Sequence, residues 1–290
     1  MIEALTLTAG SPFDFHAVRT SHGWHRLAPF FDDNSGVLTR WLQSASGTIV
    51  RLELSEAPNG VTVTVDAPDP IDATQRAEFV AAVRWMVGLD LDLSEFYALA
   101  ADEPRLAQAV AQRAGRLLRS PTLFEDVVKT ILTTNTTWAQ TKAMNRRLVE
   151  TLGAGLDGAR AFPTPRAMAA ADGDTWTALR LGYRAAYLRE LAERVAAGAL
   201  DLEALKASDL ETGALLAELK RIKGIGDYAA ATVAAILGRY DRIGTDSIAR
   251  DLVSRHFYEG APVTPAQVQA AFERFGPYRF LAYWFWEWEE

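Results

Sequence analysis

Residues 219–246 read Leu219-Lys-Arg-Ile-Lys-Gly-Ile-Gly-Asp-Tyr-Ala-Ala-Ala231, then an apolar helix-length run, then Gly244-Thr-Asp246 before Ser-Ile-Ala-Arg250. The first part has the pattern of a short helix, a tight glycine turn and a second helix. Gly224 and Gly226 lack a Cβ, so they can adopt positive φ and let another backbone approach closely. The first amides of the second helix then point outward without an intrahelical acceptor, which suits a phosphate oxygen. Lys220, Arg221 and Lys223 surround the turn with positive charge. Asp246 follows after a helix long enough to return it to the same cleft. Taken alone, Asp246 reads as a helix N-cap, and a Gly-Ile-Gly turn as an ordinary connection. Together, a phosphate-gripping turn and a carboxylate held beside it predict chemistry on DNA.

Composition sets limits. A chain of 290 residues can bury a large core and is expected to split into two subdomains. Hydrophobic content of 49% with 23% charged residues predicts a soluble globular protein. No run approaches the ~18 apolar residues of a membrane span, and the N-terminus lacks a basic and apolar signal. The expected location is the cytoplasm, in association with the nucleoid, with no membrane partner. The chain has no cysteine, which excludes disulfides and zinc–thiolate sites. Its four histidines are scattered, a poor basis for a metal site, and His22 and His25 are expected at the surface. The net charge of −7 runs against nucleic-acid binding. Distribution tempers that objection: acidic residues crowd the first third and the tail, while Arg116, Arg119, Lys142, Arg146, Arg147, Arg184, Lys220, Arg221, Lys223 and Arg250 gather elsewhere.

The organisation is α+β and mostly α. Residues 1–70 read as an antiparallel sheet: Leu5-Thr-Leu-Thr, Val37–Leu42, Thr48–Leu54 and Val61-Thr-Val-Thr-Val carry strand alternation, and Asn59-Gly60 is a hairpin signal. Phe13–Leu27 has room for a short helix. From 71 to 290 helical periodicity dominates, with segments expected at 73–88, 93–99, 103–115, 121–133, 137–152, 165–170, 173–179, 184–197, 201–205, 211–221, 227–237, 246–257, 264–274 and 277–288. The hairpin occupies 211–237.

These motifs resemble the helix-hairpin-helix (HhH-GPD) DNA glycosylases, named for the hairpin, a Gly/Pro-rich loop and an aspartate, and the resemblance covers most of the chain. Sheet-first order, with Ser11-Pro-Phe-Asp-Phe and Phe79–Leu91, is similar to the AlkA-type 3-methyladenine glycosylase. The resemblance implies a helical body with the active-site cleft between helical subdomains, and Asp246 as the catalytic aspartate. It implies a hairpin that grips the DNA backbone through the Gly224–Gly226 amides, aided by Lys220 and Lys223. The carbonyls of Lys220, Ile222 and Ile225 would hold a monovalent cation, sodium or potassium. The absence of cysteine excludes the iron–sulfur cluster of the endonuclease III branch.

Two further segments resemble the 8-oxoguanine glycosylases. Asn135, in Ile131-Leu-Thr-Thr-Asn-Thr-Thr-Trp138, and Tyr183-Arg184 match residues that hold the orphaned base and wedge the stack. A second arginine of that family is Gln140 here, which leaves opposite-base selectivity open. Bifunctional members carry a nucleophilic lysine where this chain has Tyr228, and tyrosine cannot form the imine. Tyr228 is therefore expected to line a base pocket, as does a tryptophan in the AlkA-type enzyme, with Trp284 and Trp288 joining it from one face of the last helix.

The resulting expectation is a monomeric, monofunctional glycosylase of base excision repair acting on damaged double-stranded DNA, with an alkylated purine such as 3-methyladenine as substrate. An oxidised (8-oxoguanine) or deaminated base, or a non-catalytic DNA-binding role, are the alternatives.

Overall fold

The computed structural model describes residues 2–156 and 158–288. In chain order the elements begin β1 (Ile2–Thr8), α1 (Phe15–Arg19), β2 (Phe30–Asp32), β3 (Leu38–Gln43), β4 (Ile49–Ala57) and β5 (Gly60–Asp66). Helices α2 (Ala73–Val87), α3 (Ser94–Ala100), α4 (Ala107–Ala111), α5 (Leu123–Thr133) and α6 (Trp138–Leu152) follow. A small hairpin, β6 (Gly155–Leu156) and β7 (Ala159–Arg160), precedes α7 (Pro165–Ala169), α8 (Gly173–Ala178), α9 (Arg184–Ala196) and α10 (Leu202–Lys206). The chain closes with α11 (Thr212–Lys220), α12 (Asp227–Ile236), α13 (Ser247–Phe257), α14 (Pro265–Ala271) and α15 (Arg279–Trp284). Contacts divide it into two compact units, Met1–Leu91 with Arg116–Ala207, and Asp92–Gly115 with Ser208–Glu290. None of the described helices is long and apolar enough to cross a membrane.

The first unit holds an antiparallel sheet in the order β1-β5-β4-β3-β2. Val61, Val63 and Val65 point into the core opposite Leu52 and Leu54, while Thr62 and Thr64 stay partly exposed, as the period of two demands. The hairpin forms where the sequence places it, but Pro58 and Asn59 make the turn and Ala57 pairs with Gly60. Asn59 takes the positive φ; Gly60 is needed because a Cβ there would meet the Leu7 carbonyl at 2.1 Å. β2 was not anticipated, because three residues are too few for alternation to register.

α5 runs through the core of this unit, and its charged residues are buried with its apolar ones. Lys129 Nζ donates to Glu125 Oε1 (2.7 Å) and Ser120 Oγ (3.2 Å), and Arg40 Nη2 donates to Glu125 Oε2 (3.1 Å). Asp126 accepts from Trp24 Nε1 (2.8 Å) and from the Ser120 amide (3.0 Å). Both cations also lie over the Phe30 ring, at 4.6 and 4.7 Å. His22 is half-buried where the sequence suggests a surface residue: its ring stacks on Trp24, and burial, then Lys129, push its pKa down to about 3. Arg116 and Arg119 also leave the expected basic surface. Arg116 donates to the carbonyls of Gly88, Pro12 and Leu91, and Arg119 lies buried over the Trp85 ring at 4.2 Å.

The second unit is helical, and two expected helices fall short. The segment expected at 103–115 is a 3-10 turn (Pro104–Leu106) and α4, ended by Arg113 (φ 53°) and Gly115 (φ 134°). The segment expected at 277–288 begins only after Gly276 (φ 51°, ψ −120°) and Pro277 interrupt the backbone, and α15 stops at Trp284.

Candidate active site

Within the second unit, α11 ends in a turn where the Ile222 amide donates to Leu219 O (3.0 Å) and the Ile225 amide to Ile222 O (3.0 Å). Buried Leu219, Ile222 and Ile225 pin the turn from beneath, so its glycines face outward. Gly224 has φ 93°, a conformation strained for any side chain. Gly226 is different. Its backbone is extended (φ −93°, ψ −171°) and a Cβ there would meet nothing within 4 Å. The fold does not demand glycine at 226; an incoming backbone would. Gly226 is the N-cap of α12 and no side chain caps that helix, which leaves its first amides to an outside acceptor.

The charges around the turn are partly spent. Lys220 Nζ pairs with Asp227 (3.0 Å) and Arg221 with Glu218 (2.8 Å). The Ile222 carbonyl accepts the Ile225 amide, and the carbonyls of Lys220 and Ile225 flank the same turn. Oxygen ligands of this kind, uncharged and close in sequence, fit a monovalent cation better than a divalent one, which favours carboxylates. Among the described residues no group of three or more His, Cys, Asp or Glu is placed to hold a metal ion.

Asp246 is the N-cap of α13. Its Oδ1 accepts from the Ala249 amide (2.8 Å), and among the described residues no donor reaches its Oδ2. Arg250, one turn on, does not meet the carboxylate; its Nε points to the Asp246 backbone carbonyl (3.4 Å). Close packing sets the position of the aspartate. A Cβ on Gly244 would stand 3.0 Å from Tyr228 Cδ2 and 3.2 Å from the Tyr228 carbonyl, so glycine lets the segment before Asp246 pack closely on α12, and a side chain there would press on Tyr228. Gln269 of α14 clamps that segment on its other side, accepting from the Ile243 amide (3.1 Å) and donating to the Ile243 carbonyl (2.8 Å).

Tyr228 sits where Asp246 can act on it. Partial burial, then the Asp246 carboxylate, raise its phenol above the ordinary value, and the ring remains 38% exposed. Tyr283 behaves the same way: burial, then Asp246, then Tyr228 hold it protonated. Two neutral phenols therefore share the field of one carboxylate. Tyr283 was not singled out by the sequence, since one ring among the seven aromatics from Tyr278 to Trp288 gives no sign of its direction. The pairing expected of Trp284 and Trp288 fails. α15 ends at Trp284, so the two rings do not share a helix face. Trp284 stacks on Phe280 (5.6 Å), and Trp288 packs against His256, Phe257, Phe272, Tyr283 and Trp286.

In the first unit the other three predicted residues come together. Asn135 takes φ 47° in the loop between α5 and α6. Buried Arg184, first residue of α9, donates to the carbonyls of Thr134 and Asn135 and lies 4.6 Å from the ring of Tyr183. Tyr183 is 50% exposed, and Asn135, Thr134 and Arg184 lower its phenol pKa. An exposed ring on a rigid arginine base can stack on a nucleobase.

The comparisons with known proteins agree with this geometry. The 3-methyladenine DNA glycosylase of Archaeoglobus fulgidus superposes with a TM-score of 0.77 at 22% identity, covering 97% of this chain and 96% of that one. The 8-oxoguanine glycosylase/lyase of Clostridium acetobutylicum gives a TM-score of 0.65 at 18% identity, over 90% and 98% of the two chains. The 3-methyladenine DNA glycosylase of Schizosaccharomyces pombe, solved with abasic DNA, gives 0.53 at 22% identity over 67% and 94%. At these identities the likeness shows a shared fold. No curated protein sequence matches the chain. The sequence profile of the HhH-GPD superfamily base excision DNA repair proteins matches residues 128–277, more than half of the chain and the whole of the hairpin and the Asp246 segment. The chain belongs to the HhH-GPD superfamily of base excision DNA repair proteins.

Proposed function

We propose that this chain is a monofunctional DNA N-glycosylase that flips a damaged base out of duplex DNA and hydrolyses its glycosidic bond, with an alkylated purine such as 3-methyladenine as substrate. One observation carries the reading: Asp246 is fixed through Oδ1 while Oδ2 faces no donor among the described residues, and the phenols of Tyr228 and Tyr283 lie in its field. The hairpin grips the DNA backbone through the uncapped α12 amides, with Gly226 admitting the phosphate. Asn135, Tyr183 and Arg184 meet the gap left by the flipped nucleotide, which costs unstacking energy to open.

Cleavage of the C1′–N bond builds positive charge on the deoxyribose, an oxocarbenium-like state. The Asp246 carboxylate stabilises that charge and orients a water, which attacks C1′; the base leaves with the bonding pair and the water's proton passes to solvent or to the carboxylate. An alkylated purine is already cationic and leaves without acid catalysis, and aromatic rings suit it by cation–π attraction. Tyr228 occupies the place of an imine-forming lysine, so the reaction stops at an abasic site. The A. fulgidus and S. pombe proteins are named for 3-methyladenine, in keeping with this substrate. The Asn135–Tyr183–Arg184 cluster favours a second reading, an oxidised base such as 8-oxoguanine.

The test is excision by purified protein on duplexes carrying 3-methyladenine, 8-oxoguanine, uracil or hypoxanthine, scored with and without hot alkali. Alkali-dependent cleavage of the alkylated duplex is expected. Strand cleavage without alkali would refute monofunctional chemistry, and cleavage of only the 8-oxoguanine duplex would favour the second reading.

A further inference from the structure

The loop 179–184 and α6 border an open cavity of about 310 Å³ in the first unit, lined by Gln140, Arg147, Arg180, Gly182 and Arg184 among others. That volume is at the small end of ligand sites, which run from roughly 300 to 1,000 Å³. Three of the lining residues are arginines. Several exposed arginines elsewhere in this chain find carboxylates: Arg189 pairs with Glu193, Arg221 with Glu218, and Arg255 with Asp251. Among the described residues, Arg147, Arg180 and Arg184 have no carboxylate partner. In a protein of net charge −7, three uncancelled guanidiniums around one cavity require an explanation.

Their hydrogen bonds go to backbone carbonyls, which orient them without neutralising them. Arg147 Nε donates to Leu179 O (2.8 Å) and Nη2 to Arg180 O (3.3 Å), so it fixes the loop that carries Arg180. Arg180 itself holds φ 51°, a strained backbone for a side-chain-bearing residue, and its side chain is exposed. Arg184 is only 6% exposed and its Nε is buried with no acceptor. The N-terminus of α9 opens at the same place without a side-chain cap, and a Cβ on Gly182 would meet nothing within 4 Å. The two neutral polar lining residues engage each other, the Thr136 hydroxyl donating to the Gln140 oxygen (2.6 Å). The cavity thus offers donors and positive charge, and a guanidinium has five donors and no acceptor. Its ligand must be an anion rich in acceptor oxygens, and the arginine fork matches phosphate.

We propose that this cavity seats a backbone phosphodiester of bound DNA, held by Arg147, Arg180 and Arg184, as a grip separate from the hairpin of the other unit. The proposal rests on the reading of the chain as a DNA-binding repair enzyme. Arg180 is the cleanest probe, because it is exposed and holds no other group in place.

The experiment is fluorescence anisotropy of the full chain on an unmodified duplex across a salt series, for wild type, Arg180→Gln and Arg147→Lys. Each phosphate contact contributes about 0.9 to the slope of log affinity against log salt. Arg180→Gln is expected to lower that slope by about 0.9 and weaken binding roughly five- to tenfold near 0.1 M salt, alike for any sequence. Arg147→Lys keeps the charge and is expected to preserve the slope. An unchanged slope in Arg180→Gln overturns the proposal, as does a loss confined to duplexes containing an unpaired base. Inorganic phosphate is expected to compete no better than chloride at equal ionic strength; selective competition would make free phosphate the ligand and overturn it too. If the wild type binds no duplex, the proposed function fails as well. Binding and excision by wild type with an unaltered Arg180→Gln slope sink this inference alone.

Discussion

Asp126 and Asp246 are both aspartates that cap a backbone amide, yet their surroundings assign them opposite work. Asp126 lies fully buried in the core of the first unit with Trp24 Nε1 and the Ser120 amide on Oδ1, and that amide also near Oδ2 at 3.2 Å. Beside it, Arg40 and Lys129 share the two oxygens of Glu125. Every charge there is answered by another protein group, and no substrate can enter. Asp246 in the second unit is half-buried, held by one amide, with its second oxygen open and two phenols in its field. A carboxylate marks function only where part of its bonding capacity is left unspent.

The largest effect expected from breaking this contrast is on stability. Glu125→Leu strands Arg40 and Lys129 in the core, and removing one partner of a buried ion pair costs about 3–5 kcal/mol. Urea unfolding should show that loss, and Lys129→Met should cost less, because Arg40 still faces Glu125. A loss below about 1 kcal/mol for Glu125→Leu would mean that water reaches the cluster.

On the open side, Gly244→Ala inserts a methyl group against Tyr228 and shifts the Asp246 segment. Small displacements of a catalytic group are costly, so a fall of about tenfold in single-turnover excision is expected, with DNA affinity unchanged. An unchanged rate would show that the segment tolerates the shift.

A finer prediction concerns pH. Burial raises Asp126 from 3.8 to about 6, so its contribution is present at low pH and is lost as pH rises through about 6. Asp126→Asn removes that loss and keeps an acceptor for Trp24. Its stability relative to wild type should therefore increase between pH 4 and pH 7, read by thermal unfolding at each pH. A flat difference would place Asp126 in contact with solvent.

Much of the fold was legible because local demands carried it. Strand alternation marked β4 and β5, and the Gly224 turn was visible because positive φ is a requirement on a single residue. Asp246 was legible for the same reason, standing at the start of an amphipathic helix. What escaped depended on tertiary contact. Glu125 and Lys129 are spaced four apart on α5, a pattern that on sequence alone fits an exposed ion pair. The C-terminal aromatics looked like one helix until Gly276 and Pro277 broke it, and the direction of Tyr283 depends on that break. Arg116 and Arg119 looked like DNA-facing charge but are rivets of the first unit. Arg147 and Arg180 carry the same residue type nearer the surface, and burial, which a sequence does not display, separates the two pairs.

The central claim is that Asp246 reacts while Asp126 only supports. The measurement that tests it most directly is single-turnover excision by Asp246→Asn and Asp126→Asn beside wild type, on the duplex the wild type cleaves, with DNA affinity and melting temperature recorded for each. Asp246→Asn is expected to lose about 10²–10³ in rate, the range for removing one electrostatic stabiliser, while keeping its affinity and melting temperature; Asp126→Asn should keep the wild-type rate. Excision by Asp246→Asn at the wild-type rate would contradict the account.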